Sequence, residues 1–167
     1  MISKLVDASP LSLKLWAQSV QQEFNQYLNS LFVPVSTLGT GAMTLHGRHS
    51  AIEVQVGETA YMETVIPRGL NSFKEAGIRI IPTTTGTINY TVNFSYGSVG
   101  ADENVSTKTA SVTLKAVTDD QVMELDLPIS TFFTDLDRDD QLGIEFVLDA
   151  VVTTVNVYVL GFYLKYI

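Results

Sequence analysis

The sequence contains no cysteine and only two histidines among its 167 residues. Without cysteine the chain has no disulfide and no thiolate to serve as a nucleophile or a metal ligand. His46 and His49 lie beside Gly47 and Arg48, with no cluster of further ligands around them, and an ordinary solvated turn explains them better than a metal or acid–base site. We therefore predict a protein that is not an enzyme and has no catalytic residues, no cofactor and no bound metal.

Phosphate-binding and nucleic-acid-binding features are missing as well. No glycine-rich loop is followed by lysine and serine or threonine, and there is no dinucleotide-binding fingerprint. The 18 acidic and 10 basic residues give a net charge of -8, which repels a polyanion. We expect no nucleic-acid partner.

No run of about 18 apolar residues is uninterrupted, so the sequence predicts no membrane span. Only 17% of the residues are charged, whereas 46% are hydrophobic. This balance favours a protein whose surface is partly covered by other subunits.

An amphipathic helix is predicted at residues 9–31. Ser9 suits the N-cap, and Pro10 suits the first helical position, where its missing N–H would have no partner anyway. Apolar residues then recur every three or four positions and form one stripe, which we predict to be the interaction surface: Leu13, Trp16, Val20, Phe24, Tyr27 and Leu31. Such a stripe must be buried, either on the same chain or against a partner for docking or oligomerisation.

A turn-rich segment follows this helix. Pro34, Gly39 and Gly41 indicate a linker over residues 33–41. We therefore divide the chain into an N-terminal helix and linker, residues 1–41, and a β-domain, residues 42–167.

From Ser50 onward the hydrophobic period changes from 3.6 to 2, which is typical of half-buried strands. The final strand carries apolar residues on both faces, which indicates a central strand or an outer face covered by a neighbour. A short helical turn is expected within residues 128–136. The predicted strands are residues 51–56, 61–66, 78–81, 87–96, 108–116, 122–127, 142–149 and 155–166.

Many short strands without intervening helices favour an antiparallel sandwich. Eight strands favour a jelly roll over an immunoglobulin-like fold. The predicted fold class is all-β: an eight-stranded antiparallel jelly-roll β-sandwich preceded by an N-terminal amphipathic α-helix.

Four acidic residues, Asp135, Asp137, Asp139 and Asp140, resemble the start of a calcium-binding EF-hand loop. Asp140, however, stands where that loop needs glycine, and Phe146 stands where it needs a bidentate glutamate. A solvated acidic turn is the interpretation we favour, and calcium binding by Asp135, Asp137 and Asp139 stays open.

β-Sandwich proteins often bind sugar rings on flat aromatic side chains, which serve as platforms. Five tyrosines are candidates for this contact: Tyr61, Tyr90, Tyr96, Tyr158 and Tyr163. Most of them fall on the apolar side of an alternating pattern, where a core or subunit contact is the explanation we favour. A carbohydrate-binding or receptor-binding module is therefore the alternative function.

The C-terminal part carries a resemblance in two stretches, LDRDDQLGIEF at residues 136–146 and VYVLGFYLKY at residues 157–166. Together with the strand patterns from residue 50, they resemble small jelly-roll virion structural proteins of tailed phages and environmental phage genomes. Asp140 and Gln141 depart from that group, which has Gly-Asp at this turn.

The resemblance implies a non-enzymatic protein of the phage virion, assembled on the capsid or tail with other virion proteins. It also implies a homotrimer. The decoration, head-fibre and tail-associated types all fit, and a surface glycan is a further candidate partner. A hydrolase of unfamiliar type is the third hypothesis.

Overall fold

In a computed structural model, the described residues are 29–36, 39–98, 100, 106–149 and 156–167. They form two antiparallel sheets and one short helix, α1 (Ile129–Phe132). The strands are β1 (Asn29–Pro34), β2 (Ala42–His46), β3 (His49–Val54), β4 (Thr59–Val65), β5 (Phe73–Pro82), β6 (Gly86–Gly97), β7 (Ser106–Val117), β8 (Met123–Asp126), β9 (Gln141–Leu148) and β10 (Val157–Tyr166).

The strand order confirms the predicted jelly-roll sandwich. One sheet has the order β2-β3-β10-β5-β8, with β1 pairing to β10 as a sixth strand, and the other has the order β4-β9-β6-β7. Without β1 and β2, two four-stranded sheets remain whose orders are those of a double-sheet jelly roll. The eight strands predicted from the hydrophobic alternation correspond to β3 through β10.

The core lies between the two sheets because alternate side chains of each strand point inward. Burial alternates at every position along β9 and along most of β6. At one end α1 brings Phe132 against Phe94 of β6, with ring centroids 4.6 Å apart, and Phe94 also meets Phe162 of β10 edge-on. The predicted helical turn at residues 128–136 is therefore present, and it closes one end of the core.

The predicted helix is wrong at residues 29–31 and the predicted linker is wrong at residues 33–34, because residues 29–34 form a strand. β1 pairs antiparallel with β10, from Asn29 opposite Tyr166 to Pro34 opposite Gly161. Leu31 and Val33 then point inward at the two-residue spacing of a strand. Pro34 ends β1, a position where its missing N–H interrupts no ladder.

This strand changes the predicted domain plan. The β-structure begins at Asn29, upstream of the predicted boundary at residue 41, and the predicted linker starts inside β1. Leu31 therefore belongs to the sandwich and not to a helical stripe. The other five stripe residues lie outside the described part of the chain, so their helix and its docking role stay predictions: Leu13, Trp16, Val20, Phe24 and Tyr27.

The two-faced apolar pattern of β10 has two causes: a β-bulge between Val159 and Gly161 changes which alternate positions face the core, and Leu160 packs in a separate small cluster with Ala51 and Ile81. β10 is also a central strand. It pairs with β5 on one side and with β3 and then β1 on the other. Within the described residues, no helix is long and apolar enough to cross a bilayer.

Two buried tyrosines predict that the protein loses stability in alkali. Burial, followed by the charge of Asp126, raises the pKa of Tyr90 to about 12. Burial and then a hydrogen bond to Asp126 also raise the pKa of Tyr163. Because the unfolded chain ionises its tyrosines near pH 10, this stability is complete below about pH 10 and is lost as the pH rises through the folded-state values.

We therefore expect the melting temperature to fall steeply between about pH 10 and 12. The fall should be shallower in Tyr90→Phe, which has no hydroxyl to ionise. Calorimetry of both proteins across this range checks the prediction. Parallel curves for the two proteins would show that Tyr90 makes no such contribution.

Candidate functional site

The outward face of the four-stranded sheet carries polar side chains arranged in rows. Antiparallel register places directly opposed residues on the same face. Tyr61 of β4 is opposite Glu145 of β9, Glu145 is opposite Asn93 of β6, and Asn93 is opposite Thr109 of β7. These four side chains form one row across all four strands, which we call the central row.

The central row is continuously hydrogen-bonded. Tyr61 Oη donates to Glu145 Oε1 at 2.5 Å, and Asn93 Nδ2 donates to Glu145 Oε2 at 2.7 Å. Thr109 Oγ1 in turn donates to Asn93 Oδ1 at 2.8 Å. Each carboxylate oxygen of Glu145 therefore has a donor, and the row is fixed before any ligand arrives.

The hydroxyl of Tyr61 remains protonated around neutral pH. Its hydrogen bond to Glu145, followed by partial burial and the carboxylate charge, raises the pKa of Tyr61. The side chain is 37% exposed, so one part of the ring contacts the sheet while the rest is open to a ligand. Tyr61 thus combines an anchored hydroxyl with an accessible carbon surface.

In a neighbouring row, which we call the open row, the polar side chains are not hydrogen-bonded to one another. Glu63 of β4 is opposite Gly143 of β9, Gly143 is opposite Ser95 of β6, and Ser95 is opposite Thr107 of β7. Within the described ranges, the side chains of Glu63, Ser95 and Thr107 make no hydrogen bond or ion pair. Their oxygens are available to a ligand.

On the other side of the central row, the polar character of the face continues. Thr91 Oγ1 donates to Asp149 Oδ2 at 2.8 Å and lies 2.8 Å from Ser111 Oγ. The polar surface therefore extends over at least three successive rows.

A groove of about 540 Å³ crosses this face. It is formed by the central and open rows together with Ser36, Lys108 and the backbone beneath them; we call it the outer groove. Lys108 is the one basic side chain among its described lining residues, and its Nζ pairs with Asp135 at 2.9 Å. With Glu63 and Glu145 in the wall, the groove is negatively charged.

Only one of the five tyrosines predicted as sugar platforms lies on this groove. Tyr90, Tyr96 and Tyr163 are buried, as expected for the apolar side of alternating strands. Tyr158 belongs to β10 in the other sheet and stacks on His46, with ring centroids 4.4 Å apart. Tyr61 is the platform that the fold leaves open.

The acidic turn serves structural contacts. Asp135 pairs with Lys108, and Asp139 pairs with Arg68 at 2.9 Å. Asp140 is buried, and its Oδ2 accepts a hydrogen bond from the backbone N–H of Asp137 at 2.8 Å. No group of three or more histidine, cysteine, aspartate or glutamate side chains converges as a metal site in the described part of the chain.

The two histidines occupy a hairpin. His46 and His49 are the paired residues that close the turn between β2 and β3. His46 Nε2 lies 3.0 Å from Asp120 Oδ1. These positions agree with the turn interpretation taken from the sequence.

Sequence reasoning did not select Asn93, Ser95, Gly143 or Glu145 as functional residues. A signal was present, because asparagine and glycine are disfavoured in strand interiors, where they add little to packing. In two strongly alternating segments, such residues at outward positions predict a polar outer face.

Comparisons with known proteins give no family assignment. No protein-family model and no curated protein matches the chain. Among solved structures, the chain is similar to the carbohydrate-binding module TmCBM61 in complex with β-1,4-galactotriose. The identity is 9%, over 86% of this chain and 90% of that one, and the TM-score is 0.39.

Two further solved structures are similar at the same level. A rhamnosidase from Klebsiella oxytoca with rhamnose bound is 10% identical, over 87% of this chain and 30% of that one, with a TM-score of 0.39. The xylan-binding module CBM15 is 10% identical, over 83% of this chain and 95% of that one, with a TM-score of 0.35.

Proposed function

We propose that this protein is a carbohydrate-binding module that holds its ligand in the outer groove. The observation that carries the proposal is the central row, in which four polar side chains on four strands are joined by hydrogen bonds and one of the four, Tyr61, exposes part of its ring. A preorganised polar surface of this kind suits a ligand that presents many hydroxyls, because little side-chain ordering has to occur on binding.

The chemistry of the groove favours sugars over other ligand classes. Carboxylate oxygens accept hydrogen bonds from sugar hydroxyls, and hydroxyl and amide groups both accept and donate them. The ring of Tyr61 offers a carbon surface for the C–H face of a sugar. A phosphate or nucleic acid would meet Glu63 and Glu145, while the cation Lys108 is already paired with Asp135. A lipid would leave the hydrogen-bonding groups of the open row without partners.

A microarray of polysaccharides tests this proposal, followed by isothermal titration with the ligand that it identifies. We expect Tyr61→Ala to weaken binding about tenfold, or about 1.4 kcal/mol, since the ring contact and one donor to Glu145 are lost. Tyr61→Phe keeps the ring and should bind with an intermediate affinity. Val122→Ala, an exposed position beside the other sheet, is the matched control. Equal binding by Tyr61→Ala and the wild type would exclude the outer groove as the site.

Glycoside hydrolysis is a second candidate function, favoured by the two carboxylates on the groove. Glu63 and Glu145 are diagonal neighbours on adjacent strands, a relation that places Cα atoms roughly 7–8 Å apart. Glycosidases use two carboxylates that flank the scissile bond. New reducing ends released from a bound polysaccharide would favour the enzyme, and binding without release favours the module.

The virion role, the homotrimer and the virion location are a separate proposal, supported by the resemblance of residues 50–167 to phage jelly-roll proteins. A module that binds surface glycans is compatible with a position on a virion, where such a face would meet the host surface.

A further inference from the structure

We infer that the ligand is a neutral polysaccharide that runs across the strands along the open row, with Gly143 as the floor beneath it. This inference rests on the proposed carbohydrate-binding function and adds the class and placement of the ligand. It comes from the contrast between the two rows. The side chains of the central row are hydrogen-bonded to one another, whereas the polar side chains of the open row are unpaired within the described residues.

The charge of the groove excludes acidic sugars. Glu63 has no partner among the described residues, and Glu145 receives only neutral donors from Tyr61 and Asn93. A uronate or sulfated unit would therefore meet carboxylates without a free cation to compensate them. Neutral hydroxyls instead offer the unpaired carboxylate of Glu63 a donor.

The open row supplies the groups that a sugar needs. Glu63 accepts hydrogen bonds, whereas Ser95 and Thr107 both donate and accept. Because none of these side chains is satisfied within the described chain, binding does not have to break a protein hydrogen bond first. The central row, already saturated, serves as a rigid wall.

Gly143 leaves the middle of the open row without a side chain, so the backbone is accessible there. An added Cβ at Gly143 would lie 3.1 Å from Ser95 Oγ and 3.7 Å from the Ser95 carbonyl oxygen. A side chain here would therefore fill the space between β6 and β4, where a sugar ring can approach the backbone.

The length of the row selects an oligosaccharide over a single sugar. Glu63 and Thr107 lie at opposite ends of a row that spans three inter-strand spacings, or about 14 Å. A ligand that contacts both ends must cover this distance. Monosaccharides should therefore bind much more weakly than a tetrasaccharide of the same sugar.

The test measures binding of wild type, Gly143→Ala and Ser95→Ala to two sets of polymers. The neutral set contains galactan, xylan, β-glucan and mannan, and the anionic set contains polygalacturonate and alginate. We expect binding to at least one neutral polymer and to neither anionic one. Gly143→Ala should lose at least tenfold in affinity, and Ser95→Ala, which introduces no clash, should lose severalfold.

Gly69→Ala is the matched control, because a Cβ at Gly69 meets no atom within 4 Å. Melting curves establish that each variant is folded. Wild-type affinity in both Gly143→Ala and Ser95→Ala, with binding weakened in Tyr61→Ala, would overturn the placement on the open row but keep the outer groove. Equal binding of the anionic polymers would overturn the neutral class alone. Absence of binding to every polymer would overturn the proposed function itself.

Discussion

Replacing Gly161 with alanine is expected to lower the free energy of unfolding by about 3 kcal/mol or more. Gly161 has φ +155°, a conformation that residues with a Cβ rarely adopt. Its Cβ would overlap the carbonyl oxygen of Val33 and lie 2.9 Å from Phe32 Cζ and 3.0 Å from Pro34 Cα. All three neighbours belong to β1, so the substitution must strain β10 or push β1 away from it.

Chemical denaturation of Gly161→Ala and of the control Gly69→Ala measures this effect. The control should change the free energy of unfolding by no more than about 0.5 kcal/mol, as open surface positions usually do. A Gly161→Ala protein as stable as the control would contradict the pairing of β1 with β10.

Replacing Glu145 with alanine is expected to weaken ligand binding at least a hundredfold, or about 2.7 kcal/mol. The change leaves the hydroxyl of Tyr61 and the amide of Asn93 without their shared acceptor. Hydrogen bonds to a charged group are each worth about 1.5–3 kcal/mol, and the central row would lose both of them together with its order. Glu145 should therefore matter more for binding than Tyr61 does.

Glu124→Ala is the matched control for Glu145→Ala. Glu124 also makes a cross-strand contact, between its Oε1 and Arg79 Nη2 at 2.8 Å, but it lies in the six-stranded sheet. We expect it to bind like the wild type in isothermal titration. Equal losses in the two variants would show that a general effect on the fold, and not the central row, controls binding.

The sandwich itself was predictable because its main strands carry the two-residue period over many positions. Residues 87–96 show it most clearly, and burial along β6 follows it. The same alternation explains why Tyr90 and Tyr96 are buried. The local hydrophobic alternation was sufficient to predict which side chains are buried, because the geometry of a single strand sets its inward and outward positions.

The strand β1 was not predictable in the same way. Leu31 continues the helical spacing of the preceding residues and equally begins a two-residue spacing with Val33, so local periodicity does not separate the two structures. What decides between them is pairing with β10, more than 120 residues later in the chain. Tertiary contacts of this kind override local propensity.

For the candidate site, the outward orientation of individual residues was predictable, but their arrangement was not. The outward positions of Asn93, Ser95 and Glu145 follow from alternation, and Tyr61 was named as a sugar platform. Their assembly into rows depends on β9 lying between β4 and β6. Neither that order nor its register is contained in the pattern of any single strand.

The most direct test of the central claim is a map of backbone amide chemical shifts, recorded by NMR while a neutral oligosaccharide from the polymer that binds is titrated in. We predict the largest changes at Tyr61, Glu63, Ser95, Gly143 and Glu145, on neighbouring strands of the four-stranded sheet. Changes concentrated on the six-stranded sheet would contradict the account, and so would an absence of changes in the outer groove.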